Sequence, residues 1–316
     1  EVKNVSAQVA VEQTLSIKKD LIDTDWDQKS LDSKLVTLNL GGNTTLGISV
    51  AFWKAGIGAI SPQKFPKLLM LVFEGGKHGN PNITIQEFML IETSLEQAVK
   101  DFNKLREHLV AENLETTVGA EGGFSPTGFN NNSVLEVIKT VFPDYQIALD
   151  AAGSFKSNQE EEYAALFDQF NIYYLEDPYT DEDWDKWSAF LQKYGNEKLI
   201  AGDDLTVTSS SRLLEAINKK AVNAVIIKPN QNGTITGALE AVKLARENNL
   251  KIIVSHRGEE PNDAWIVDFA LLIESDYVKF GGVNRGERIA KYNQLLRIEE
   301  ALGSRATFAG KQPFRF

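Results

Sequence analysis

Six short apolar runs, each ending in a charged or metal-capable residue, constrain this chain more than any other feature. They are Ile147 to Asp150, Tyr173 to Glu176, Leu199 to Asp203, Ala224 to Lys228, Ile252 to His256 and Tyr277 to Lys279. Successive end residues lie 26, 27, 25, 28 and 23 positions apart. One strand, one helix and two short loops fill such a gap. The repeat predicts successive βα units of a parallel barrel. In such barrels the C-terminal ends of the strands form the face that carries active sites. Three acids, then Lys, His and Lys, are therefore expected to converge on one pocket.

The chain before this repeat is less regular. Residues 1–64 read as mainly helical. Val2 to Ile22 is amphipathic, Asp23-Thr24-Asp25 is a break, and Leu38 to Thr45 reads as a loop around Gly41-Gly42. Thr45 to Gly58 reads as a helix of small apolar residues. The turn-rich piece Gly58 to Pro66 marks a boundary, giving a helical region 1–64 and a barrel 65–316. Lys67 to Phe73 and Thr84 to Ile91 read as strands. The loop Glu74 to Asn82 is too short for a parallel crossover, so this pair should be antiparallel. Helices are expected at Ser94–Ala111 and Ser133–Val141, on either side of the glycine-rich Val118 to Gly123. Two strands, two helices and six strand–helix pairs make an α/β chain of order ββαα(βα)6, with the eight strands that close a barrel.

Composition sets limits on function. The chain is 42% hydrophobic and 24% charged, as ordinary globular proteins are. No apolar run approaches the ~20 residues of a membrane span, and no basic start followed by an apolar core signals secretion. The first residue is Glu1 rather than Met, which points to processing or to an upstream segment. With no cysteine, any metal must be held by oxygen or nitrogen ligands, and a cytoplasmic location is expected. A net charge of −11 argues against nucleic acid or anionic membrane as partner. It leaves room for a small phosphorylated substrate beside a divalent cation.

Asp150, Glu176 and Asp203 would bring three carboxylates to adjacent strand ends. Each alone reads equally well as a helix N-cap. Together they are unfavourable without a cation, and an all-oxygen ligand set suits Mg²⁺. Lys228 and Lys279, partly desolvated near another positive charge, are expected to have lowered pKa values, freeing a neutral amine as a base; the plain alternative is a lysine that snorkels or pairs with an acid. Arg257 beside His256 offers a planar fork for phosphate or carboxylate. In the opening half, Glu87 and Glu121 are candidate acids, and the glycines around Glu121 let backbone approach a ligand. His78 sits in a glycine-rich loop, and by itself reads as an ordinary loop histidine. A metal to stabilise an enolate, a lysine base and a carboxylic acid beside a leaving group make β-elimination chemistry.

Specific pieces carry a resemblance. They are Gln86 to Met89, Gly119 to Gly123, Leu175 to Pro178, Asp203 to Thr208, Lys228 to Gln231, Val254 to Arg257 and Arg288 to Gly303. In these the chain resembles the enolases, from about residue 33 onward. The resemblance implies an enolase-type barrel and the reversible dehydration of 2-phosphoglycerate to phosphoenolpyruvate in glycolysis. It implies Asp150, Glu176 and Asp203 as Mg²⁺ ligands, Lys228 as base, and Glu121 as acid with Glu87 beside it. His78, His256, Arg257 and Lys279 become substrate contacts. A second Mg²⁺ is expected with substrate, and homodimers are the family habit. The chain departs from the family pattern at Glu74, usually Asn, at Ala120, usually Asp, and at Gly258, usually Ser. The N-terminal region and the stretch after Asp150 are also shorter than the family's. These departures keep two alternatives open: a related lyase on another carboxylate, and a non-catalytic relative with a binding or structural role.

Overall fold

The computed structural model describes residues 1–22, 24–60, 62, 64–153 and 160–303. The chain opens with three helices, α1 (Ala7–Leu21), α2 (Gln28–Thr37) and α3 (Gly42–Gly56). Then come β1 (Lys67–Glu74), β2 (Glu87–Glu92), α4 (Leu95–Ala111) and α5 (Asn131–Val141). The repeat follows: β3 (Ile147–Asp150), α6 (Glu160–Gln169), β4 (Ile172–Glu176), α7 (Trp184–Tyr194), β5 (Leu199–Gly202) and α8 (Ser210–Asn218). It continues with β6 (Ala224–Ile227), the short α9 (Pro229–Asn232), α10 (Ile235–Glu247) and β7 (Lys251–Ser255). It ends with α11 (Trp265–Leu272), β8 (Tyr277–Lys279) and α12 (Gly286–Leu302). The eight strands close one barrel in chain order. β2 runs antiparallel to both β1 and β3, and the other neighbours, including β8 and β1, are parallel.

Both faces of the strands are buried, which is why they read as continuous apolar runs. On β1, Leu69 and Leu71 fill the barrel with Met89, Tyr174, Ile226 and Ile253, while Leu68, Met70 and Val72 face the helices. The reversed β2 positions the site. Its first residue, Glu87, comes to the rim where the parallel strands end, and pairs with Glu74 on one side and Asp150 on the other. Asp150 in turn pairs with Glu176.

The opening helices dock on the start of α10. Ser49 Oγ accepts Ile235 N–H at 3.0 Å, and Asp32 Oδ2 accepts Thr236 N–H at 2.8 Å. A carboxylate there also meets the positive end of the helix dipole. α3 begins at Gly42, inside the stretch expected to be a loop. The two glycines there serve close packing, since a Cβ at Gly41 or Gly42 would overlap Val5 or Val2.

Candidate active site

Each strand delivers one polar residue to the rim. Glu74, Glu87, Asp150, Glu176 and Lys279 are strand-end residues, and Asp203, Lys228 and His256 each lie one position beyond a strand. A cavity of about 340 Å³ opens over them. Of the ten residues expected to act, nine line it, and Glu176 lies fully buried beneath.

Lys279 is the centre of the floor. Its Nζ donates to Asp150 Oδ2 at 2.7 Å and Glu176 Oε1 at 2.8 Å, and stands 2.6 Å from Glu87 Oε2. Tyr174 donates to the second oxygen of Glu176 at 2.7 Å, and the Ala152 amide to the second oxygen of Asp150 at 2.8 Å. Lys228 pairs with Asp203 Oδ2, and Gln231 Nε2 donates to Asp203 Oδ1 at 2.9 Å. Thr208 holds this corner, accepting the Lys228 amide and donating to Gln231, each at 2.8 Å.

The expectation of lowered lysine pKa values is corrected by this geometry. Burial lowers both, but Asp203 outweighs it at Lys228, and Asp150, Glu176 and Glu87 outweigh it at Lys279. Both ammonium groups sit above their ordinary value. Both lysines take the alternative open to a strand-end lysine, pairing with acids.

Opposite Lys228, Glu121 Oε2 faces His78 Nδ1 at 3.4 Å. Burial raises the Glu121 carboxyl, yet hydrogen bonding to Glu87 and His78 with the His78 charge brings it down to about 2. His78 is raised, chiefly by its bond to Glu121. The pair therefore keeps its proton on the imidazole. His256 Nδ1 accepts from Arg288 at 2.6 Å. The Arg257 fork points to Glu1, 3.4 Å away.

The all-oxygen set Asp150, Glu176 and Asp203 suits a divalent cation by charge, but all three carboxylates are engaged by Lys279 or Lys228, and the three are not among the groups whose ligand atoms converge within 4.8 Å. Burial and then Asp150 push Glu176 well above the carboxylate range. Six carboxyl groups line the cavity against four lysine or arginine cations. Among the described residues, Asp177, Asp203 and Asp204 offer oxygens within 4.8 Å of one another, and Glu87, Glu121 and His256 form a second such group. Asp177 is already engaged in holding the backbone, since its two oxygens accept the Asp203 and Asp204 amides at 2.9 and 2.8 Å.

Sequence reading missed Tyr174, Gln231 and Arg288 as parts of the site, and took Glu74 only as a departure. Tyr174 stands two residues before Glu176, so strand alternation puts both on one face. Gln231 and Arg288 lie on helices, inside stretches that carry the family resemblance but with no apolar run ending on them to mark them as site residues.

A family profile described as "Enolase, C-terminal TIM barrel domain" matches residues 63–164 and 150–315. An enolase of Mycobacteroides abscessus is 34% identical over 337 aligned positions, covering 91% of this chain and 78% of that protein.

Proposed function

The chain belongs to the enolase family, and from that premise we propose that it is a Mg²⁺-dependent lyase acting in the cytoplasm. Its proposed reaction is the reversible dehydration of 2-phosphoglycerate to phosphoenolpyruvate. The observation that carries this reading is the placing of Lys228 and of Glu87 with Glu121. Lys228 follows β6 and Glu87 opens β2, four strands apart in a ring of eight. Residues of the types suited to a base and an acid thus stand across the mouth from each other, which supports removal of a proton and a hydroxyl from opposite sides of a substrate.

Asp150, Glu176 and Asp203 would hold Mg²⁺, with a second, substrate-dependent site for the phosphate and carboxylate. When bound, the metal supplies positive charge that stabilises an enolate. Lys228 first releases its own proton to solvent, which requires Asp203 to loosen its grip, and the neutral amine then takes the proton from C2. The C2–H and C3–O bonds break, a C2–C3 double bond forms, and the hydroxyl leaves as water with a proton from the His78–Glu121 pair. Lys279 holds the substrate carboxylate, and His256 and Arg257 contact the substrate and its phosphate. Homodimerisation belongs to the same proposal, and sedimentation velocity tests it.

Gly258 favours a second reading, a lyase for an unphosphorylated acid. A Cβ there would lie 3.4 Å from both Glu121 and His78, so glycine leaves this side of the mouth open where the family usually has Ser. A panel of 2-phosphoglycerate and unphosphorylated 2-hydroxy acids, with and without Mg²⁺, separates the two. Mg²⁺-dependent turnover of 2-phosphoglycerate supports the first reading. Preference for an unphosphorylated acid supports the second, and no turnover of any acid removes both.

A further inference from the structure

Arg288 enters the site from α12 and is fully buried. Its Nη1 donates to His256 Nδ1 and to Arg257 O, each at 2.6 Å. Its Nη2 donates to Gly258 O at 2.5 Å and to Ala120 O at 3.5 Å. One guanidinium thus grips both the loop after β7 and the glycine-rich loop that carries Glu121. The loop after β8 closes a third side: a Cβ at Gly281 would lie 3.1 Å from Arg288 Cδ and 3.2 Å from His256 Cε1.

A guanidinium has N–H donors and no acceptor, and it keeps its charge. An imidazole nitrogen that faces it at hydrogen-bond distance must offer a lone pair. We infer that Arg288 is a positioning residue that fixes His256 as a neutral imidazole with its proton on Nε2, a permanent hydrogen-bond donor rather than a proton carrier. That Nε2 faces Glu87 Oε1 at 3.7 Å, and the other Glu87 oxygen stands against Lys279. Burial, with the Arg288 charge and against the pull of Glu87, pushes His256 down to about 3, which agrees with the neutral form. Hydrogen-bonded partners of this kind commonly set which ring nitrogen of a histidine carries the proton. The tautomer follows from this geometry alone. What the donor does in turnover rests on the lyase reading.

The test is a long-range ¹H–¹⁵N spectrum of the imidazoles in the whole protein. The chain has three histidines, so a His256→Gln spectrum assigns the signal. The wild type should show His256 protonated on Nε2, unprotonated on Nδ1, and unchanged between about pH 5 and 8. Arg288→Lys and Arg288→Met should give mixed tautomers or a titrating ring. Turnover in Arg288→Lys should fall about 10- to 100-fold, as when an imidazole loses its orienting partner. A wild-type His256 protonated on Nδ1, or doubly protonated at neutral pH, overturns the inference whether or not the variants fold. A folded Arg288→Met with the wild-type His256 spectrum overturns it as well. Full turnover in Arg288→Lys with a scrambled tautomer overturns the positioning role. Absence of turnover in a wild type that has the expected spectrum counts against the lyase instead.

Discussion

Glu74 illustrates how much one side chain decides. Its carboxyl accepts the Glu121 amide at 3.1 Å and the Gly123 amide at 2.8 Å, and so holds the loop that presents Glu121. A Cβ at Gly119 would collide with this carboxyl, which is why glycine stands there. Burial pushes Glu74 up from 4.5 to about 7. Between those values the folded protein keeps a proton that the unfolded chain has released. Stability from this group is therefore present at low pH and falls as pH rises through about 7, by roughly 3 kcal/mol in all. Glu74→Gln should flatten this dependence while keeping an acceptor for the loop, as urea unfolding at about pH 5 and 8 would reveal. A wild type equally stable at both values would contradict it. The clamp was not legible in the sequence, because it joins residues 47 and 49 positions apart. Asp150, Glu176, Asp203, Lys228 and Lys279 were legible, because each ends an apolar run. Their charge states were not, since those depend on which ammonium meets which carboxylate. His78→Gln carries this further. With the imidazole gone, the proton must reside on Glu121, so the alkaline limb of kcat/KM should move to lower pH; an unmoved limb would count against the pair as the proton source.

At the scale of elements, the eight strands were readable and the helical opening less so. The strands are buried on both faces and announce themselves as apolar runs. The antiparallel β1–β2 pair followed from loop length alone. α2 did not stand out, because its buried face is limited to Leu31, Asp32 and Leu35. Its attachment depends instead on a buried acid. Asp32 accepts from Thr236 N–H at 2.8 Å and from Gln28 at 3.1 Å. Removing it leaves the first turn of α10 with an unsatisfied donor. Asp32→Ala should cost about 1–3 kcal/mol in denaturant unfolding. A change within about 0.5 kcal/mol, the range of surface substitutions, would mean that the helices are held by apolar packing alone.

For the molecule as a whole, the spacing of the end residues carried the topology, and closure in chain order followed. No local pattern carried the docking of α1 to α3 or the reach of α12 into the mouth, which join distant parts of the chain. No helix among the described residues is long and apolar enough to cross a membrane. Carboxyl groups outnumber cations at the mouth, so a divalent cation bound there should stabilise the folded state by mass action, about 2.7 kcal/mol at a hundredfold excess over Kd. The thermal midpoint should rise with Mg²⁺ in the wild type and much less in Glu176→Gln; equal responses would place the ion elsewhere. The division of labour across the mouth has its own most direct test. It is exchange of the C2 hydrogen of 2-phosphoglycerate with solvent deuterium, followed by NMR with Mg²⁺ present. Wild type and Glu121→Gln should exchange, the second without forming product, while Lys228→Ala should lose exchange by about 10²- to 10⁴-fold. Undiminished exchange in Lys228→Ala, or none in wild type, would contradict the account.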